Sequence, residues 1–287
     1  MPQIAGYELY TIETGRFALD GGAMFGIVPK PLWERYIPAD AQNRIPLVMR
    51  CLLLVGNGRV ILVDNGLGDK YDAKFAHIYS VDNEHSSLNA SLKQAGFSAD
   101  EVTDVVLTHL HFDHCGGSTI RKGEQLVTAF SNATYHVQQD HWEWTKKPNA
   151  RERNSFLKEN LEPLAASGQL HLLEGDDTLF DGVSVKCYNG HTQAMQTVKI
   201  TDDTSTLVFA ADLLPTSAHL LPAWVMAYDL LPLTSIDEKA EFLHEAIENN
   251  WQIMFEHDPT VEISSLKRDA KGHIIPENPR KLESLAG

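Results

Sequence analysis

A chain of 287 residues exceeds an average domain yet stays within reach of one large sandwich, so a single domain over 1–287 is expected. Hydrophobic residues make up 43% and charged residues 22%, an ordinary globular balance that excludes disordered, collagen-like and coiled-coil chains. The formal net charge of -15 repels phosphate backbones and anionic headgroups, which argues against nucleic acid and membrane partners.

No stretch approaches the ~20 apolar residues of a membrane span. The first ten residues carry no basic run leading into an apolar one. Cys51, Cys115 and Cys187 are odd in number and widely separated, with no C-x-x-C pair, and read as reduced thiols of a cytoplasmic protein.

In chain order, 47–55 and 59–64 read as two strands joined by Gly56-Asn57-Gly58, whose glycines accept positive φ. Residues 86–95 offer a capping serine, apolar Leu88 and Leu92, and Gly96 beyond the end, the marks of a short helix. Ser98 and Glu101 form a capping box that feeds the buried run Val105-Val106-Leu107, and the histidine cluster follows where that strand ends. Two amphipathic helices, 140–147 and 155–166, are expected on either side of Pro148. Beyond them come strands near 183–188, 196–201 and 206–210, a helix near 237–249 and a strand at 253–255. His191, Asp212 and His257 each follow one of these later strands, the usual way side chains are brought to one edge of a sheet framework.

The segment Thr108-His109-Leu110-His111-Phe112-Asp113-His114 places three imidazoles and a carboxylate within six residues. Neutral imidazole with carboxylate suits zinc and neighbouring divalent metals, which bind His nitrogen at ~2.0–2.1 Å. His109 and His111, two apart in an extended segment, point the same way and can grip one ion, while Asp113 and His114, past a turn, can face a second. One tetrahedral site could not use every ligand on offer, so two ions fit better.

The chain resembles the metallo-β-lactamase-fold hydrolases. The likeness is carried in order by Leu62-Val63-Asp64-Asn65-Gly66, the His-x-His-x-Asp-His cluster at 109–114, Gly190-His191-Thr192, Ala211-Asp212 and Glu256-His257-Asp258. It implies an α/β fold, a four-layer αββα sandwich of two mixed β-sheets flanked by helices. It also implies that His109, His111 and His191 hold one metal, that Asp113, His114 and His257 hold the other, and that Asp212 bridges them. A metal-bridging hydroxide would attack the substrate, with Asp113 as ligand and proton carrier. Zinc is the default metal, and manganese, iron and cobalt suit the same donors. Within the superfamily, Phe17-Ala18-Leu19-Asp20 and the run from Asp212 through His219 to His257 look most like quorum-quenching lactonases and methyl-parathion-type hydrolases. Pro215 stands where those lactonases place a tyrosine that polarises the substrate carbonyl. The family's Gly-His-Thr-Pro-Gly-His-Gln reads here as Gly190-His191-Thr192-Gln193-Ala194-Met195-Gln196, which keeps the ligand and loses the second histidine.

The resemblance gives Asp64 a supporting role, hydrogen-bonding a ligand or ordering the ligand loop, and gives Cys115 a packing role. Phe25 and Trp33, after Gly21-Gly22, are expected to line the substrate pocket. Leu220 and Trp224 read equally as lining or core, and His219 and Tyr228 are candidate hydrogen-bond donors to substrate. His77, His85, His136, His141, His171, His244 and His273 show no ligand spacing. The expected activity is hydrolysis of a small-molecule ester, lactone or organophosphate. A glyoxalase II-type thioesterase and a non-enzymatic metal-containing binding protein of the same fold stand as alternatives. By analogy with the same branch, a homodimer is expected.

Overall fold

The computed structural model describes residues 1–286. Its first sheet is built from β1 (Gln3–Ile4), β2 (Tyr7–Asp20), β3 (Arg44–Gly56), β4 (Arg59–Val63) and β5 (Asp104–Val106). A small hairpin, β6 (Thr119–Lys122) and β7 (Gln125–Thr128), stands apart, and β8 (Thr134–Gln138) and β9 (Leu170–Leu173) complete the sheet in the order β1-β2-β3-β4-β5-β8-β9. The pairings are antiparallel up to β4 and parallel from β4 to β9. The second sheet runs in chain order through β10 (Asp177–Phe180), β11 (Val183–Tyr188), β12 (Met195–Thr201), β13 (Thr206–Phe209), β14 (Gln252–Met254), β15 (Ile263–Arg268) and β16 (Ile274–Arg280). It is antiparallel except where β13 pairs with β14. The expected hairpin at 47–64 is present as β3 and β4, and the later strands lie within a residue of where the sequence put them.

The helices are α1 (Gly21–Phe25), α2 (Lys30–Trp33), α3 (Ala73–Tyr79), α4 (Leu88–Ala95), α5 (Phe112–Cys115), α6 (Gln139–Thr145), α7 (Lys158–Ser167) and α8 (Pro232–Glu248). Ser87 caps α4 by accepting from Ala90 N, and Gly96 ends it in the left-handed conformation, as the sequence implied. α8 begins five residues earlier than expected, because Pro232 sits in its first turn, where a missing N–H costs nothing.

Period-two alternation sorts the first sheet into two faces. Leu52, Leu54, Ile61, Val63 and Val106 pack with Val198, Phe209 and Ile253 of the second sheet. Cys51, Leu53, Leu62 and Val105 turn the other way, against Leu92 of α4, Trp142 of α6 and Leu164 of α7. Phe242, Leu243 and Ala246 of α8 pack on the second sheet. The result is the expected αββα order of layers. The loops after β5, β11, β13 and β14 carry His109–His114, His191, Asp212 and His257, and they meet at one edge of the sandwich.

Candidate metal centre

Seven side chains from four separate segments of the chain converge at that edge. Ligand atoms of His109, His111, His191 and Asp212 lie within 4.8 Å of one another, and so do those of Asp113, His114 and His257. Between the two groups Asp212 turns Oδ2 to His191 Nε2 and Oδ1 to His257 Nε2, each at 3.2 Å. The expectation that His109 and His111 point the same way is met in the extended connector after β5: His109 Nε2 is 3.0 Å from His111 Nδ1.

Each imidazole is locked in one tautomer by a neighbour that can only accept, or whose own proton is already committed. His257 Nδ1 donates to the Val48 carbonyl at 2.9 Å. His191 Nδ1 donates to Asp229 Oδ1 at 2.9 Å, and His111 Nε2 to Glu152 Oε1 at 3.0 Å. His114 Nδ1 faces Asp64 Oδ2 and Glu256 Oε2, both at 3.1 Å. Thr108 Oγ1 gives its proton to Asp64 at 2.6 Å and so accepts from His109 Nδ1 at 3.1 Å. When the rings are neutral, the five remaining ring nitrogens therefore offer lone pairs inward. His114 Nε2 and His257 Nε2 approach to 3.2 Å, as do His111 Nδ1 and His191 Nε2. Bare lone pairs this close repel, and a cation against them removes the repulsion. Asp212 Oδ1 is buried without a hydrogen-bond partner among the described residues, an orphan acceptor that an ion would satisfy. Donor type, convergence and orphaned oxygen thus fit divalent metal ions.

The electrostatics agree. Burial pushes His109 and His111 below the ordinary imidazole value, toward the neutral form a metal needs. Burial opposes charge on His114, His191 and His257 as well. The carboxylates around them outweigh it, raising His114 and His191 and lifting His257 to about 9. Burial would raise Asp212, yet His114, His191 and His257 hold it well below the usual carboxylate range. The pocket favours positive charge, and protons compete with metal for it.

Local backbone serves the same end. Asp64 takes φ 54° and Ala211, just before Asp212, φ 47°. Such positions cost roughly 1–3 kcal/mol each and persist where surrounding structure enforces them. Asp64 is fully buried and accepts from Thr108 N at 2.8 Å and from Thr108 Oγ1, so it orders the ligand loop as well as facing His114. At Gly190 a Cβ would meet Ser235 N at 2.4 Å, which explains the glycine before His191: that loop presses on the first turn of α8.

A cavity of about 380 Å³ opens over the centre, with His111, Asp113, His191, Asp212 and His257 in its floor. Leu19, Met24, Phe112 and Met226 form apolar wall, and Tyr79, Arg151 and Tyr228 the polar side. Phe25 and Trp33, expected in that wall, lie instead in the core behind it: both are at most 1% exposed and stack on each other at 5.2 Å. The physical reason is Gly21, whose missing side chain lets the Trp33 ring fold under the loop. Their neighbour Met24 takes the lining position. His219 also faces inward, stacked on Phe25, with Nε2 donating to Met24 O and Nδ1 accepting from Thr216 Oγ1. Leu220 is core and Trp224 edges on Phe25. Pro215 receives His257 N on its carbonyl at 3.0 Å. Cys115 is buried among apolar neighbours, in keeping with packing. Glu152, Asp229 and His141 carried no signal in the sequence. Of these, His141 is fully buried beside His109, accepting from Leu110 N at 2.8 Å and donating to Gln193 O at 2.6 Å.

The metallo-beta-lactamase superfamily pattern matches residues 46–261. An N-acyl homoserine lactonase of Bacillus cereus is 26% identical over 210 residues, covering 70% of this chain and 73% of that protein. A probable metal-dependent hydrolase from Staphylococcus aureus superposes with a TM-score of 0.86 at 29% identity, covering 98% of this chain and 100% of that one. A dizinc quorum-quenching lactonase in complex with a product superposes with a TM-score of 0.79 at 21% identity, over 98% of this chain and 97% of the other, a likeness of fold. The chain belongs to the metallo-beta-lactamase superfamily, as a hydrolase of that fold related to the lactonases.

Proposed function

We propose that this chain is a dinuclear metal-dependent hydrolase of a small ester, lactone or organophosphate, with zinc as the default metal. The observation that carries the reading is the set of five imidazoles, each tautomerically locked, whose free nitrogens converge on the two oxygens of Asp212. In this reading His109, His111 and His191 hold one ion, Asp113, His114 and His257 the other, and Asp212 is shared. A bound pair of divalent cations supplies a deprotonated water near neutral pH and electrophilic stabilisation of a developing oxyanion.

The chain's own residues do the rest. Asp113 reaches from the centre into the cavity, with Oδ2 3.8 Å from His257 Nε2, and stands where a proton leaving the nucleophile or arriving at the leaving group can be held. Burial and the charge of Asp113 raise the phenols of Tyr79 and Tyr228, which remain protonated donors toward a substrate oxygen. With Pro215 in place of the lactonase tyrosine, Tyr228 is our candidate for that contact. The apolar wall suits an acyl chain or aryl group, and relatives named as N-acyl homoserine lactonases favour the lactone end of the range.

Metal-loaded protein is tested against γ- and δ-lactones, aryl esters, thioesters and paraoxon. Turnover of at least one, lost to chelator and restored by metal, is expected. Full activity in metal-free protein, or an unchanged rate in Asp212→Ala, contradicts the proposal.

A further inference from the structure

The segment between α6 and α7 is fixed to the metal centre. Asn149 Oδ1 accepts from Arg151 N at 2.8 Å and Glu152 N at 3.1 Å, a local turn that sets both residues. The Glu152 carboxylate then ties this turn to His111, Thr192 and Trp144. Arg151 is therefore one residue from a group that touches a ligand imidazole, and its backbone cannot drift relative to the site.

Arg151 is among the residues that line the cavity. Its Nη2 donates to the Ala227 carbonyl and, at 3.0 Å, to the Asp229 carbonyl. Nε and Nη1 make no hydrogen bond among the described residues, and no carboxylate oxygen there lies within 4.0 Å of the guanidinium, although the protein carries a net charge of -15. Arg151 is the only Lys or Arg on the cavity lining among the described residues, where the other ionisable groups are acids, imidazoles and phenols. It also borders an adjoining cavity of about 290 Å³. A clamp on two carbonyls uses one nitrogen of the fork. Nη2 belongs to both bidentate edges of the guanidinium, so Nε and Nη1 remain as separate donors, each able to make one charge-assisted hydrogen bond to a carboxylate or phosphate oxygen.

We propose that Arg151 recognises an anionic group on the substrate, set away from the scissile bond, so that the preferred substrates are anionic esters or lactones. The proposal rests on the hydrolase reading above and deepens it.

The test uses a γ-lactone whose side chain ends in a free carboxylate and its counterpart ending in a primary amide, each measured by turnover and by calorimetric binding to metal-loaded protein. Wild type favours the carboxylate in kcat/KM by about tenfold to a hundredfold, the span of one charge-assisted hydrogen bond. In Arg151→Gln the ratio falls toward one while the amide substrate changes less than about threefold, and Arg151→Lys keeps part of the preference. A wild-type ratio near one overturns the assignment, and so does an equal loss on both substrates in Arg151→Gln, which would mark Arg151 as a clamp alone. Binding separates the two readings: preferential carboxylate binding that depends on Arg151, without turnover, supports Arg151 while counting against hydrolysis.

Discussion

Glu152→Gln changes one atom's chemistry at nearly constant shape, and the surroundings of that carboxylate determine the effect. It is buried, and every group pointing at it is a donor: His111 Nε2 at 3.0 Å, Trp144 Nε1 at 2.7 Å, the Thr192 hydroxyl, and Asn149 Nδ2 at 3.5 Å. Burial alone would raise its carboxyl, but these donors hold it at about 2, so it is ionised at neutral pH. A glutamine amide brings N–H protons against His111 Nε2–H or Trp144 Nε1–H, one beside each carboxylate oxygen, and neither has a lone pair to offer; only the Thr192 hydroxyl can turn to accept. One way to relieve the clash flips His111 to the tautomer with its proton on Nδ1, the atom that faces His109 and His191. Either outcome weakens only the group of ligands containing His111. Losing one charge-assisted hydrogen bond is worth about 1.5–3 kcal/mol, and breaking the hydrogen bond that orients a ligand histidine typically costs ~10–100-fold in metal affinity, so the two figures agree. Metal content after dialysis against graded chelator should show one ion of the pair released about 10–100-fold more readily than in wild type, with the other retained. Retention of both ions at unchanged affinity would refute the reasoning. Equal weakening of both would refute its confinement to one group.

Two further outcomes are expected. Lys239 is 2% exposed, donates to Trp224 O at 2.6 Å, and is pushed by burial from 10.5 to about 7, against the weaker pull of Asp229. The unfolded chain binds the extra proton between those values. Stability therefore rises with pH across the window from about 7 to 10.5, by at most about 1.4 kcal/mol per unit. Urea unfolding should show wild type gaining on Lys239→Met as pH rises from 7 to 9, and parallel profiles would contradict this. Tyr228→Phe removes one donor to substrate and should lower kcat/KM about tenfold with metal content unchanged, whereas an unaltered kcat/KM would remove Tyr228 from the mechanism.

The range of each interaction decided whether the sequence exposed it or hid it. The candidate ligand cluster at 109–114 is legible because one short segment carries four donors, and His191, Asp212 and His257 are legible as candidates because each comes after a readable strand. Glu152 and Asp229 were invisible: each meets its histidine about forty residues away, and an acid in a polar loop looks the same whether or not it grips an imidazole. Phe25 and Trp33 misled for the opposite reason, since pocket walls and cores draw on the same apolar residues, and only packing over Gly21 separates them. Strand β2 is hidden in the sequence because a bulge between Glu13 and Arg16 breaks the alternation that marks a half-buried strand. At the far edge, β16 contains Pro276 and Pro279, residues that argue against a central strand and are tolerated at a sheet edge.

Anomalous diffraction from metal-loaded crystals, collected on either side of the zinc absorption edge, bears most directly on the whole account. Two peaks ~3.5–4 Å apart are predicted, one among His109, His111 and His191 and the other among Asp113, His114 and His257, with Asp212 between them. A single peak, or ions bound elsewhere while these seven side chains hold only protons, would contradict it.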